Sequence, residues 1–266
     1  MSDPLADHDI ALVRADNPSP LTLAGTNTWL IGRDPCWIVD PGPDLDTHVA
    51  AVLAAAAERG GIGGIAVTHD HSDHAGAVAA VHAGAGGDVP VRATRVEGAQ
   101  ATGDGDRVGP LEAIAVPGHA PDHLCFALGD VCLTGDAVLG EGSVFIAPDP
   151  GALRGYLAGL QRLRDRGFAL LAPGHGPLVP DPDGKLAGYV AHRLDRERRL
   201  VAALDGGART LDALLAAAWD DVPDALRLAA TVTLVAHLDK LAEDGRLPAG
   251  VEERPDWFEQ LGRHAH

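Results

Sequence analysis

The hydrophobic positions of residues 1–180 fall into short runs separated by turn-forming residues, a pattern typical of β-strands. Residues 28–31 and 36–39 are two such runs, and Gly32-Arg33-Asp34-Pro35 between them predicts a β-hairpin. Further strands are predicted at residues 65–67, 89–93, 111–116, 124–128, 131–133 and 169–172. Segments with helical spacing predict helices at residues 45–59, 75–82 and 152–166. This alternation of strands and helices predicts an α/β fold.

Several of these strands end at a side chain that can bind a metal ion. The strand at residues 65–67 runs into Thr68-His69-Asp70-His71-Ser72-Asp73-His74, which packs three imidazoles and two carboxylates into six residues. Later strands end at Pro117-Gly118-His119, Thr134-Gly135-Asp136 and Pro173-Gly174-His175, where the turn residues let each strand stop abruptly. We expect these side chains to meet along one edge of an open α/β architecture.

The pattern changes to a helical one after residue 180. Helices are predicted at residues 185–204, 210–218 and 224–244, and Arg246-Leu247-Pro248 is predicted to begin a small wing or strand. We therefore divide the chain into a catalytic domain at residues 1–180 and a helical C-terminal domain at residues 181–266.

The composition excludes several classes of protein. The formal charge of −17 argues against broad attraction to nucleic acid or anionic membranes. The hydrophobic runs are shorter than the roughly 18 residues of a membrane span. The start, Met1-Ser2-Asp3-Pro4, lacks the pattern of a signal peptide. The three cysteines have no CxxC spacing, so we expect buried free thiols. The sequence predicts a cytoplasmic protein with no membrane partner, and leaves its oligomeric state open.

The candidate ligands divide into two sets that Asp136 can bridge. The first set has three imidazoles and the second has one carboxylate and two imidazoles: His69, His71 and His119, then Asp73, His74 and His175. Zinc accepts both ligand types and keeps a position for water when it is catalytic. We therefore predict two zinc ions per chain, sharing a hydroxide across a gap of about 3.5–4 Å. Asp73 is also predicted to orient this nucleophile.

The motif His69-x-His71-x-Asp73-His74, with the later ligands, resembles the metallo-β-lactamase superfamily. The segments similar to its branch called beta-lactamase-like protein 2 include Gly25-Thr26-Asn27-Thr28, Gly140-Glu141-Gly142-Ser143-Val144-Phe145 and Tyr189-Val190-Ala191-His192-Arg193. His237-Leu238-Asp239-Lys240-Leu241 is similar to that branch's winged-helix-like domain. The resemblance implies an αββα sandwich with a zinc site at the edge of two sheets, followed by this small helical domain.

The resemblance also implies a hydrolase. Members of the superfamily hydrolyse esters, thioesters, lactams and phosphodiesters, and this branch includes single-stranded-RNA endonucleases. His71 disfavours the redox di-iron branch, which carries Glu at that position. Asp136 stands where well-known zinc β-lactamases place Cys or Ser, which favours thioesterase and nuclease types over antibiotic hydrolysis.

Four further residues each have a functional and a structural interpretation. Asp40 either accepts a hydrogen bond from a ligand imidazole or caps its own turn. His123 either supports the ligands or lies beside a strand. His192 and Arg193 are predicted to overhang the metals and contact an anionic substrate group, the alternative being a solvated helix face.

Three hypotheses for the function follow. The first is a dinuclear zinc hydrolase that acts on a small acyl ester or thioester through a metal-bridging hydroxide. The second is a single-stranded-RNA endoribonuclease with the same site, ranked lower because acidic residues half cancel the basic cluster at residues 193–199. The third is a nucleic-acid-binding regulator that uses residues 210–248 as a winged helix, ranked last because few basic residues lie there.

Overall fold

The computed structural model describes residues 4–252, so the predicted C-terminal domain is described only as far as residue 252. The strands are β1 (Ile10–Arg14), β2 (Asn27–Ile31), β3 (Cys36–Val39), β4 (Ile62–Ala66), β5 (Val91–Ala93), β6 (Gln100–Ala101), β7 (Arg107–Val108), β8 (Leu111–Ala115), β9 (Leu124–Leu128), β10 (Val131–Gly135) and β11 (Leu170–Pro173). The α-helices are α1 (Pro4–Asp7), α2 (Asp46–Ala57), α3 (Ser72–Ala75), α4 (Val78–Gly84), α5 (Ala152–Arg166), α6 (Pro182–Asp205), α7 (Leu211–Ala218) and α8 (Arg227–Glu243). A short 3₁₀ turn, Asp224–Leu226, precedes α8.

The strands form two mixed sheets. The first has six strands in the order β1-β2-β3-β4-β5-β6, and the second has five in the order β11-β10-β9-β8-β7. In the first sheet β1, β2 and β3 pair antiparallel and the remaining pairs are parallel. The predicted hairpin is present, with Leu30 opposite Ile38. Strand β1 and the two-residue strands β6 and β7 were not expected from the sequence, because they are short or have little alternation of polarity.

The period of two along each strand explains the layers. Trp29 and Ile31 point between the sheets and pack with Phe126 and Leu133 of the second sheet. Leu30, between them in sequence, points to the opposite face, where α2 and α4 cover the first sheet. Helix α5 covers the outer face of the second sheet. The predicted αββα sandwich is therefore confirmed.

Helix α6 contributes to two cores. It begins with Pro182 after Asp181, whose side chain accepts a hydrogen bond from the Gly184 backbone N–H at 3.1 Å. Its first half packs Leu186 and Tyr189 against the second sheet. Its second half packs with α7 and α8 in a separate helical core. The domain boundary near residue 180 stays a prediction.

Residues 246–248, predicted to begin a small wing or strand, form no strand. This segment is irregular, and no strand in residues 4–252 pairs with it. Leu247 instead packs on the helical core, and Pro248 has no N–H to donate to a ladder.

None of the helices formed by residues 4–252 combines the length and apolarity needed to cross a bilayer.

Candidate metal centre

The structure brings all seven predicted ligands together at the ends of strands. His69 and His71 lie on the loop after β4, and Asp73 and His74 lie on α3, which follows that loop. His119, Asp136 and His175 follow β8, β10 and β11. Gly174 makes this convergence sterically feasible. A Cβ at that position would lie 2.6 Å from His74 Cε1 and 2.9 Å from Asp136 Oδ1, closer than real side chains approach.

The first set of ligands is a compact group of imidazoles. His71 Nδ1 lies 2.9 Å from His69 Nε2 and 3.1 Å from His119 Nε2. All three nitrogens therefore point at one small volume, which matches the three-nitrogen arrangement of a catalytic zinc site.

The second set combines a carboxylate with two imidazoles. His175 Nε2 lies 3.2 Å from His74 Nε2 and 3.1 Å from Asp73 Oδ2. His74 is fully buried, whereas the Asp73 side chain is 27% exposed and faces the adjoining cavity. Asp73 is thus the carboxylate of this set that a molecule in the cavity can reach.

Asp136 lies between the two sets. Its Oδ1 atom is 3.4 Å from both His74 Nε2 and His175 Nε2, and its Oδ2 atom is 3.6 Å from His119 Nε2. Asp136 Oδ1 is buried and has no hydrogen-bond partner among the described residues. A buried, unpartnered carboxylate oxygen is costly unless a cation satisfies it, so this atom fits a metal ligand.

Outer hydrogen bonds fix which imidazole nitrogen faces the centre. His74 Nδ1 donates to Asp40 Oδ2 at 2.8 Å. His119 Nδ1 donates to the Phe145 carbonyl at 3.2 Å. In both rings the proton therefore sits on the outer nitrogen, and Nε2 presents a lone pair to the centre, as metal ligation requires.

Asp40 and Thr68 extend this support to His69. Asp40 accepts hydrogen bonds from the Thr68 N–H at 2.7 Å and the Thr68 hydroxyl at 2.8 Å. Because that hydroxyl donates to Asp40, it accepts from His69 Nδ1, 3.0 Å away. Asp40 therefore accepts a hydrogen bond from a candidate ligand imidazole, as its functional interpretation requires, and its role in metal binding stays a prediction. Thr68, which the sequence analysis did not single out, contacts both Asp40 and His69.

His123 also belongs to the support of the centre. Its Nε2 accepts a hydrogen bond from the Asp136 backbone N–H at 3.1 Å, and its ring stacks on His69 with centroids 4.9 Å apart. The sequence left its role open. Its position four residues after His119, on the turn into β9, was the available signal.

The electrostatics differ between the two sets. Burial opposes protonation of His175, but Asp136 and Asp73 outweigh it and raise the pKa to about 9. Burial likewise opposes ionisation of Asp73, yet chiefly His74 and then His175 hold its pKa at about 2. In the first set, burial lowers the pKa of His119 to about 3. The second set thus attracts positive charge, while the first offers neutral imidazoles.

Comparison with known proteins places the chain in a family. Residues 21–84 and 79–175 match the metallo-beta-lactamase superfamily, and residues 210–249 match the beta-lactamase associated winged helix domain. A beta-lactamase-like protein 2 homolog of Caenorhabditis elegans is 31% identical over 259 residues, which cover 89% of this chain and 85% of that protein. The chain belongs to the metallo-β-lactamase superfamily.

Two further similarities agree with this placement. The atrochrysone carboxyl ACP thioesterase of Aspergillus chevalieri is 32% identical over 216 residues, 73% of this chain and 65% of that protein. The crystal structure of a metallo-beta-lactamase family protein from Thermus thermophilus has a TM-score of 0.72 at 24% identity, covering 89% of this chain and 94% of that one. The predicted resemblance, the winged-helix domain and the general class of metal-dependent hydrolase are confirmed.

His192 and Arg193 lie on α6, beside the metallo-β-lactamase centre. Arg193 is 2% exposed, donates to the Val144 carbonyl and lies 5.7 Å from the Tyr156 ring centroid. His192 Nε2 accepts from Arg196 Nε at 3.1 Å, and burial lowers its pKa to about 4. A solvated helix face is therefore wrong for Arg193. The contact of this pair with a substrate anion stays a prediction.

A cavity of about 590 Å³ opens on the metallo-β-lactamase centre. One end reaches His71, Asp73 and Asp136, and the other end reaches Trp219 and Leu226 of the winged-helix region. Its volume lies within the range of small-molecule sites. The catalytic fold and the helical region therefore line one cavity together.

Proposed function

We propose that this protein is a dinuclear zinc hydrolase that cleaves an acyl ester or thioester. The observation that carries the dinuclear assignment is the position of Asp136, one oxygen of which faces each set of ligands. Imidazole and carboxylate donors without thiolate suit zinc. The zinc identity, the count of two and the acyl substrate are our proposals.

The residues divide the work between holding metals and orienting water. His69, His71 and His119 would hold one ion, Asp73, His74 and His175 the other, and Asp136 both. When bound, such a pair polarises a carbonyl and acidifies water. Asp73 lines the cavity and its side chain is 27% exposed, so its carboxylate would orient the attacking water.

The cavity supports an acyl substrate over RNA. Two arginines line the cavity, Arg193 and Arg196. Arg196 pairs with Asp221 at 2.7 Å, and its guanidinium carbon lies 5.5 Å from the Trp219 ring centroid, so a phosphodiester would compete with Asp221 for this cation. Arg193 is buried and donates to the Val144 carbonyl. The similarity to a thioesterase also favours acyl chemistry. Single-stranded RNA is the second candidate, supported by the match to a winged-helix domain.

The decisive experiment offers both substrate classes to one preparation. We would incubate zinc-reconstituted protein with acyl-N-acetylcysteamine thioesters, acyl 4-nitrophenyl esters and end-labelled single-stranded RNA. We expect thioester or ester hydrolysis and intact RNA. RNA cleavage without acyl hydrolysis would overturn the acyl assignment, and Asp73→Ala run in parallel exposes a contaminating nuclease or esterase.

Metal analysis tests the site itself. We expect two zinc ions per chain in wild type by plasma mass spectrometry. His71→Ala should lower the metal content and reduce activity at least 100-fold, because it removes a ligand. Full metal and full activity in His71→Ala, or iron as the metal that restores hydrolysis, would contradict this proposal.

A further inference from the structure

The wall of the cavity beside the metal centre differs in polarity from one part to another. Around the ligands its wall includes the side chains of His71, Asp73, Asp136 and His175. The segment from the end of α7 to the start of α8 adds an apolar stretch of wall, made of Trp219, Val222, Leu226, Ala229 and Ala230. This apolar stretch therefore belongs to the helical region, and it lines the same cavity as the ligands.

Phe145 lies between the ligands and the apolar stretch of wall from the helical region. Its ring centroid lies 4.6 Å from that of His119, and its side chain also packs against the core that α6, α7 and α8 form. The hydrophobic surface therefore begins next to a ligand ring and continues to Trp219. Phe145 is therefore apolar cavity surface in contact with a candidate ligand ring.

Two of the polar groups along this wall, Thr233 and Arg196, have partners within the protein. Thr233 donates its hydroxyl to the Ala229 carbonyl at 3.0 Å and accepts from the Ile146 N–H at 3.2 Å. Arg196 donates to the Ala218 carbonyl and pairs with Asp221. His192 Nδ1 and Arg193 Nε, which belong to other lining residues, have no hydrogen-bond partner among the described residues. The segment from Trp219 to Ala230 therefore offers a ligand chiefly apolar surface, whose burial stabilises binding.

We propose that the helical region supplies the acyl pocket of the enzyme. The inference rests on the proposed acyl-hydrolase function and deepens it: the substrate is a thioester or ester with an apolar acyl group, which lies on Phe145, Trp219, Leu226 and Ala229. Its carbonyl is at the metal centre. Water supplies the oxygen that bonds to the acyl carbon as the carbon–sulfur or carbon–oxygen bond breaks, and the leaving group departs with a proton.

The test separates binding from hydrolysis by using two probe series. Alkyl N-acetylcysteamine thioethers from methyl to octyl lack the carbonyl and cannot be hydrolysed, so calorimetry on the zinc-loaded protein reports the pocket alone. The matching acyl thioesters report kcat/KM. In wild type we expect affinity to rise about two- to fourfold for each added methylene until the pocket is full.

Variants on one helix assign the effect to this wall. Ala229→Phe should fill the pocket and lower the octyl-to-methyl affinity ratio at least tenfold. Ala242→Phe, an exposed position on the same helix outside the cavity, is the matched control and should keep the wild-type ratio. Leu226→Ala should shift the preference toward longer chains, which keeps the test decisive if Ala229→Phe does not fold.

The outcomes distinguish this proposal from the proposed function. Equal affinity for methyl and octyl thioethers, or an unchanged ratio in folded Ala229→Phe and Leu226→Ala, would overturn the acyl pocket even if thioesters are hydrolysed. A chain-length preference that Ala229→Phe removes would support the pocket. If no thioester or ester were hydrolysed while that preference held, the proposed function would fail and the apolar site would stand.

Discussion

At the scale of single residues, the centre depends on two carboxylates, each of which contacts more than one neighbouring group. Asp136 directs one oxygen to each set of ligands, and Asp40 uses its carboxylate to hold both Thr68 and His74. In both side chains both carboxylate oxygens face neighbouring groups, so a neutral side chain such as asparagine cannot make the same contacts. Conservative changes at these positions should therefore affect the metals before they affect the fold.

Asp40→Asn tests the support of His74. The amide keeps the shape of the side chain but loses the charge that favours the His74 Nδ1–H tautomer, so we expect metal affinity to fall about 10- to 100-fold. Competition with a chromophoric chelator measures this. Asp130→Asn removes a comparable carboxylate–imidazole pair, His8 with Asp130 at 2.6 Å on the surface, and should leave metal affinity unchanged. Equal losses in both variants would refute a specific role for Asp40.

His237 gives a prediction for pH dependence. It is fully buried on α8, and neither ring nitrogen has a hydrogen-bond partner among the described residues. Burial, with Arg193 and Lys240 nearby, lowers its pKa to about 3. The folded state therefore keeps His237 neutral while the unfolded state takes up a proton below about pH 6.5. Its contribution to stability is complete above pH 6.5 and is lost as the pH falls toward 3.

Urea unfolding of His237→Leu between pH 7.5 and pH 4 checks this sign. Between pH 7.5 and pH 4 the unfolding free energy should fall in both proteins. We expect the fall in the variant to be about 1–3 kcal/mol smaller than the fall in wild type. His82→Leu, which replaces a partly exposed ring, is the control and should follow wild type. A parallel acid loss in wild type and His237→Leu would contradict the assignment.

At the scale of elements, the end of β11 decides whether the ligands can meet. Gly174→Ala would push a methyl group against His74 and Asp136, so we expect a loss of about 1–3 kcal/mol in stability together with weaker metal binding. Thermal unfolding and metal analysis measure the two effects. Gly188→Ala, on the exposed face of α6 with nothing near its Cβ, should instead gain up to about 1 kcal/mol. Normal metal content in Gly174→Ala would show that the turn tolerates a side chain.

The strands and helices also show which parts of the secondary structure the residue pattern predicts correctly. The runs at β2, β3, β8, β9 and β10 were predicted because apolar, β-branched and aromatic residues are concentrated there. The predicted helix at residues 75–82 is instead two helices, α3 and α4, with a break at Gly76 and Ala77. At the break the Ala77 N–H donates to the Gly42 carbonyl at 2.9 Å, a contact with a segment far from it in sequence. Propensity alone does not contain such a contact.

At the scale of the whole molecule, charge and metal binding are coupled. The formal net charge is −17, and the ligand cluster at one edge of the sandwich includes two carboxylates, Asp73 and Asp136, whose like charges repel each other. Bound cations would relieve that repulsion, so the metals belong to the stability of the fold as well as to its chemistry.

Removing the metals should therefore lower the melting temperature. We expect dialysis against a chelator to reduce Tm by several degrees, and zinc at about 1,000 times its Kd to restore roughly 4 kcal/mol. Differential scanning calorimetry measures this, with magnesium as the comparison ion because it is poorly suited to imidazole ligands. An apo protein as stable as the zinc-loaded one would argue against a native metal site.

The sequence by itself determined the kinds of groups at the centre and the class of fold. The ligands after β4 are neighbours along the chain, and turn residues precede the later ligands, so both are local features that a single sequence displays. The pattern of strands and helices predicted an α/β fold, and the resemblance to the metallo-β-lactamase superfamily implied the αββα sandwich. The sequence therefore predicted the gathering of its seven candidate ligands before any contact was known.

Only the tertiary structure decided how distant segments complete the site. Packing between segments far apart in sequence sets three features of the site: the hydrogen bond from His74 to Asp40, the set of ligands that each oxygen of Asp136 faces, and the position of the Arg193 side chain. The cavity between the centre and Trp219 is of the same kind, because its two walls come from the sandwich and from the helical region. Such arrangements depend on how the sheets and helices pack against one another, and local residue patterns do not encode that geometry.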